Sequence, residues 1–159
     1  MDKIEYLVLD DRDSPEWDRL GECLEAMYSS LEEQGWKFPL AEGGADMWLK
    51  SVRNTTGRFG RMIIAKAGDR IAGFAHGMVK FLPDYLGGHP VGFVTHIYVE
   101  SNVRETGTGK RMVEMLEEWF RQKNVHSIEL QVITGNQGGI EFWTKLGYME
   151  ELRQYRKTL

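Results

Sequence analysis

The chain has 159 residues, 42% of them hydrophobic and 28% charged, with a formal net charge of −4. This is the size and make-up of one folded domain with a real core, so a single domain over residues 1–159 is expected. The acidic balance speaks against a nucleic-acid partner, which calls for a basic surface, but still allows a local positive patch for an anionic ligand. The lone cysteine, Cys23, cannot form an intramolecular disulfide. The start MDKIEYLVLDDRD breaks into acids too soon for a secretory signal, and no apolar run spans a bilayer. The expectation is a cytoplasmic protein with no membrane partner.

Ile4 to Leu9 reads as a short strand. Ser14-Pro15-Glu16 has the N-cap and first-turn proline of a helix, which should run to about Glu33 and stop before Gly35. A second helix is expected over Ala41 to Val52. Met62 to Ala67 and Ile71 to Met78 read as strands joined by the tight turn Gly68-Asp69-Arg70. Phe81 to Pro90 reads as a loop, and Val91 to Val99 as a buried central strand. Gly107 to Lys123 carries an apolar stripe at helical spacing. Ser127 to Val132 alternates as a strand does. Gly138 to Leu146 predicts a helix closed by Gly147, and Tyr148 to Arg156 a last strand. The class is mixed α/β.

The segment VTHIYVESNVRETGTGKR, Val94 to Arg111, carries the functional signal. A strand leads through a turn into Arg104-Glu105-Thr106-Gly107-Thr108-Gly109, which opens the strongest helix. The first N–H groups of a helix lack intrahelical partners, the helix dipole makes that end positive, and glycine lets a bulky anion approach the backbone. Such a start suits a phosphate or pyrophosphate, with Lys110 and Arg111 adding charge. A nucleotide P-loop would need Gly at Arg104 and Ser or Thr at Arg111. The dinucleotide fingerprint would need a third Gly at Met112. Neither is present. By itself the loop could also be no more than a glycine-shaped helix start.

The pattern Arg-x-x-Gly-x-Gly after the triplet Ile97-Tyr98-Val99 resembles the GNAT superfamily of N-acetyltransferases. A second motif, in the right order, is similar to the family's Asn-x-x-Ala-x-x-Phe-Tyr and Leu-Gly-Phe turn: Asn136-Gln137-Gly138-Gly139-Ile140-Glu141-Phe142-Trp143, then Lys145-Leu146-Gly147-Tyr148. The resemblance covers about Ile71 to the C-terminus. It implies a mostly antiparallel central sheet with helices on both faces, splayed at a slot for acetyl-CoA. It also implies that the backbone of Ile97, Tyr98 and Val99 pairs with the pantetheine arm. The pyrophosphate would lie on Arg104, Glu105, Thr106, Gly107, Thr108, Gly109 and Lys110. Asn136 would contact the pantetheine, order the loop, or cap a helix.

The implied chemistry is transfer of acetyl to a primary amine of a small molecule or peptide by direct attack. The alternative is a non-catalytic acyl-CoA-binding sensor or interaction module. The family's usual general acid is a tyrosine where this chain has Trp143, and an indole cannot serve; Tyr148 is no automatic replacement. His96 is the candidate base, with Glu100 and Glu129 behind it. His76, His89 and His126 look scattered, and no metal-ligand spacing occurs, so no metal is expected. Substrate contacts would come from Tyr28 to Trp48, where aromatics and acids would suit a cationic amine or simply be core and surface, and from Phe81 to Pro90. A homodimer is compatible with all of this.

Overall fold

The computed structural model describes residues 2–159. Five strands form one sheet in sequence order: β1 (Ile4–Val8), β2 (Gly60–Ala67), β3 (Arg70–Phe81), β4 (Pro90–Val99) and β5 (Ile128–Leu130). The first four are antiparallel neighbours, and β5 joins β4 in parallel. The β2–β3 turn is the tight one expected at Gly68-Asp69, with Gly68 at φ 60°.

Four helices cover the two faces: α1 (Leu20–Glu33), α2 (Gly44–Thr55), α3 (Thr108–Gln122) and α4 (Gln137–Lys145). On one face Leu20 and Leu24 of α1 and Val52 of α2 pack on Met62, Ile64 and Phe74. On the other, Met112, Val113, Leu116 and Phe120 of α3, with Trp143 of α4, pack on Ile63, Ala65, Ala75 and Val94. Strand alternation explains the split, since neighbours on β2 point to opposite faces. Phe120 sets how closely α3 sits. A Cβ on either Gly77 or Gly92 would stand 2.8 Å from its ring, so only glycine at those positions lets α3 lie so near the sheet.

Three expectations need correction. The Ser14-capped segment begins as a 3₁₀ turn, Pro15–Arg19, and becomes α-helical only at Leu20. The strand expected over Ser127 to Val132 shrinks to Ile128–Leu130. The last strand, Tyr148 to Arg156, does not form; beyond Tyr148 the chain is exposed and outside the sheet. Its apolar residues Met149, Leu152, Tyr155 and Leu159 recur every three or four positions, so no period-two face exists to bury. No helix among the described residues is long and apolar enough to cross a membrane.

Candidate active site

Strand β4 loses its parallel neighbour halfway along. The pairing with β5 comprises Gly92 with Ile128, Phe93 with Glu129 and Val94 with Leu130. Pairing with β3 continues on the other side to Val99. Thr95 to Val99 therefore have no strand neighbour on the β5 side among the described residues, where Arg104 alone bonds Val99 O, and Ile97, Tyr98 and Val99 lie on this edge. An unfilled edge inside a sheet is a place for an extended ligand to add as a strand.

The open edge leads into the loop before α3. Glu105 and Gly107 both have positive φ, 62° and 88°. Gly107 is the left-handed N-cap of α3 and makes no side-chain cap bond. The first backbone bond of the helix is Arg111 N–H to Gly107 O at 2.9 Å. The stretch 104–107 is turn, but among the described residues the N–H groups of Glu105, Thr106, Gly107, Thr108, Gly109 and Lys110 reach no protein acceptor in good geometry. Bonds within the loop hold this shape. Thr106 Oγ1 donates to Val103 O at 2.6 Å and lies 2.9 Å from Thr108 Oγ1, and Thr108 is buried. A row of unpaired donors at a helix start suits a diphosphate.

The two glycines do different work. A Cβ on Gly107 would meet nothing, so its positive φ is what demands glycine there. A Cβ on Gly109 would press on the Phe142 ring at 3.3 Å, so Gly109 lets α3 and α4 meet. Arg104 turns back, its Nε donating to Val99 O at 2.9 Å. This ties the loop to the end of the open strand. Lys110 and Arg111 both reach toward Glu114, at 3.8 and 3.7 Å, which offsets part of their charge. Asn136 caps α4 and accepts from Gly139 N–H at 2.9 Å.

A bulge in β4 shapes the other side of the slot. Register with β3 passes from His76–His96 to Gly77–Val94, which leaves Thr95 as the extra residue. His96 and His76 thus stand side by side on the α1/α2 face, joined through Thr95. Thr95 Oγ1 lies 2.6 Å from Nδ1 of His76 and 2.9 Å from Nδ1 of His96. Trp48 of α2 sets its ring against both imidazoles, at centroid distances of 6.3 and 5.1 Å. Burial lowers His96 from 6.5 to about 4. Burial, then the neighbouring His96, lowers His76 to about 3. Both rings are neutral near pH 7.

His76 was not visible as a site residue from the sequence, because its link to His96 crosses a hairpin and a bulge. His89 and His126 also pair, with ring centroids 5.7 Å apart. Among the described residues no three His, Cys, Asp or Glu side chains gather as a metal site would require. The weaker base candidates are tied up elsewhere, Glu100 with Arg70 and Glu129 with Lys80. Trp143 is buried in the core, edge-on to Phe142 and Tyr148. The Tyr148 hydroxyl donates to Glu117 at 3.3 Å. Burial, reinforced by that carboxylate, makes its proton harder to remove, the wrong direction for a proton donor. Between Tyr28 and Trp48, where acids and aromatics could form a site or be core and surface, the two separate. Trp48 faces the site, whereas Glu33, Glu42 and Asp46 are exposed.

The sequence model of the acetyltransferase (GNAT) family matches residues 22–148. No curated protein sequence matches the chain. Solved structures share the fold. An aminoglycoside acetyltransferase from an uncultured soil metagenomic sample, in complex with sisomicin, superposes with a TM-score of 0.71 at 17% identity, over 98% of this chain and 96% of that one. An aminoglycoside N-acetyltransferase in complex with CoA gives 0.77 at 14% identity, over 100% and 97%. A ribosomal-protein-alanine N-acetyltransferase from Brucella melitensis biovar Abortus 2308 gives 0.69 at 18% identity, over 99% of each. The family match runs from within α1 to just past α4 and takes in both the open strand and the N–H loop. The chain therefore belongs to the GNAT family and is an acetyl-CoA-dependent N-acetyltransferase.

Proposed function

We propose that the acceptor is a primary amine of a small molecule or peptide, acetylated by direct attack with His96 taking the proton. The observation that carries this reading is the open edge of β4, which ends in the unpaired N–H loop and has His96 on its α1/α2 side. Bound acetyl-CoA supplies the thioester. The backbone of Ile97, Tyr98 and Val99 holds the pantetheine as an added strand. The N–H groups of Glu105 to Lys110 hold the pyrophosphate, with Arg104 beside them. Asn136 caps α4 and contacts the pantetheine or orders the loop.

An ammonium has no lone pair, so its proton must leave before or during attack. The first proton goes to solvent, and His96, neutral at pH 7, takes the second as the nitrogen bonds to the acetyl carbon, directly or through one water. Burial lowers its proton affinity, which weakens it as a base and strengthens its imidazolium as an acid. An imidazolium with a pKa of about 4 is a far stronger acid than a thiol, whose ordinary pKa is about 8.5. His96 can therefore hand the proton on to the departing thiolate, the task left open by Trp143. The names of the structural neighbours, which act on aminoglycosides or on a ribosomal-protein alanine, support both acceptor classes. The single, buried, unbridged Cys23 supports a cytoplasmic setting.

Release of free thiol from acetyl-CoA, followed across a panel of amines, tests the reading. Thiol release that depends on an amine is expected. Tight acetyl-CoA binding with no turnover on any amine would leave a non-catalytic acyl-CoA-binding module instead.

A further inference from the structure

The hydroxyl of Thr95 meets three polar atoms. It lies 3.2 Å from the carbonyl oxygen of His76, to which it donates, 2.6 Å from Nδ1 of His76 and 2.9 Å from Nδ1 of His96. A hydroxyl has one proton and two lone pairs. All three contacts can be hydrogen bonds at once in one way only: a carbonyl accepts and never donates, so the Thr95 proton goes to His76 O. Both imidazole contacts must then run the other way, with each Nδ1–H donating to Thr95 Oγ1. Each ring is left with a bare lone pair on Nε2.

Two independent observations agree. Nε2 of His76 is buried and has no hydrogen-bond partner, and His76 itself is only 4% exposed. An orphaned acceptor is tolerated there more readily than an orphaned N–H would be. Nε2 of His96 lies 3.5 Å from the hydroxyl of Tyr28 on α1, a phenol that can donate to a lone pair. Ring rotation is opposed by Trp48, which packs edge-on against both imidazoles.

We propose that Thr95 is the positioning residue of this active site: it fixes His96, and His76 behind it, as Nδ1–H tautomers, so that the proton acceptor is Nε2 of His96 beside Tyr28. Thr95 can do this because it is the extra residue of the bulge. In a regular β4 its side chain would point to the opposite face from His96. The titratable groups facing His96 are Tyr28 from α1 and His76 from β3. Among the described residues no carboxylate hydrogen-bonds it, unlike the usual base held by an acid. A neutral hydroxyl orients the ring without raising its proton affinity. The ammonium first gives one proton to solvent, and in turnover the neutral amine's next proton moves to Nε2 as the nitrogen bonds to the acetyl carbon. It leaves Nε2 for the thiolate sulfur once the carbon–sulfur bond has broken, so the ring returns to its starting tautomer and Nδ1 keeps its proton throughout.

The catalytic part of this inference rests on His96 being the base, and the test separates the two. Imidazole ¹⁵N spectra of the full chain near pH 7.5, assigned with H76Q and H96Q, should show protonated Nδ1 and bare Nε2 on both His76 and His96. Thr95→Val keeps the shape and removes the hydroxyl. It should mix the tautomers and lower kcat by about tenfold or more, part of the 10²–10⁴ that general acid–base catalysis contributes, with KM for acetyl-CoA unchanged. Thr95→Ser should restore the spectrum and most of kcat. Protonated Nε2 on His96 in the wild type overturns the proposal, as does a Thr95→Val protein with the wild-type spectrum and kcat. If Thr95→Val does not fold, the wild-type and Thr95→Ser spectra still decide. Should the tautomers be as stated while H96Q turns over like wild type, the base reading falls and Thr95 has no catalytic role. Should the tautomers be wrong while H96Q is inactive, the base reading stands and this proposal falls.

Discussion

Gly107 and Gly109 sit two residues apart in one motif, yet they should fail differently. Gly107 faces open space at φ 88°. Gly107→Ala should cost about 1–2 kcal/mol in stability, the strain of a left-handed residue with a Cβ, and weaken acetyl-CoA binding by turning the N–H row. Gly109→Leu would drive into Phe142 and should cost about 1–3 kcal/mol by overpacking. Thermal melts with and without CoA separate the two. The Gly107 variant should lose more of the CoA-induced shift than of its unliganded Tm, and the Gly109 variant the reverse. The two histidines make a second case at this scale. Their folded pKa values, about 3 and about 4, lie below the ordinary 6.5. The unfolded chain therefore binds more protons below pH 6.5, and stability falls as pH drops from 6.5 toward 4. Tm measured across that window should decline, and His76→Gln should flatten the decline. The Arg-x-x-Gly-x-Gly pattern was legible because it is local. The role of His76 was not, since it depends on which residue across a hairpin it meets, and the bulge at Thr95 shifts that by one.

At the scale of elements, α3 is the part most dependent on small residues elsewhere. Phe120 lies over Gly77 and Gly92, and the N-terminus of the same helix carries the loop proposed to hold the pyrophosphate. Gly92→Ala should cost about 1–3 kcal/mol and raise KM for acetyl-CoA, because the helix must move to admit the methyl. Phe120→Leu in the same chain should recover part of both, a coupling that a double-mutant cycle measures. The strong helices and the antiparallel meander were readable because apolar spacing reports burial directly. β5 was overestimated for an instructive reason. Leu130 and Val132 alternate as a strand should, but alternation reports which face is buried and not whether a neighbour is hydrogen-bonded. The chain parts from β4 after Leu130 while still packing its apolar side chains. The tail after Tyr148 failed as a strand because it has the apolar content of one without the period.

At the scale of the molecule, two layers meet on one strand. α3 and α4 carry the N–H loop and the Asn136 cap on one face of the sheet. α1 and α2 carry Tyr28 and Trp48 on the other, and β4 presents His96 to them. Variants on the α1/α2 face, such as Tyr28→Phe, should alter kcat or the choice of amine and leave the Kd for CoA within about twofold. Calorimetric titration with CoA beside steady-state kinetics checks the division. The family was legible from two local motifs in order. The amine was not, because the α1/α2 face is assembled from residues far apart in sequence with no motif among them.

The unpaired N–H row before α3 has a consequence for the life of the protein and not only for its reaction. A chain that binds acyl-CoA only when folded is stabilised by mass action, gaining about 2.7 kcal/mol when free ligand reaches a hundred times its Kd. Its resistance to proteolysis should then rise and fall with the supply of acyl-CoA. The abundance of the enzyme would follow its substrate with no regulator involved.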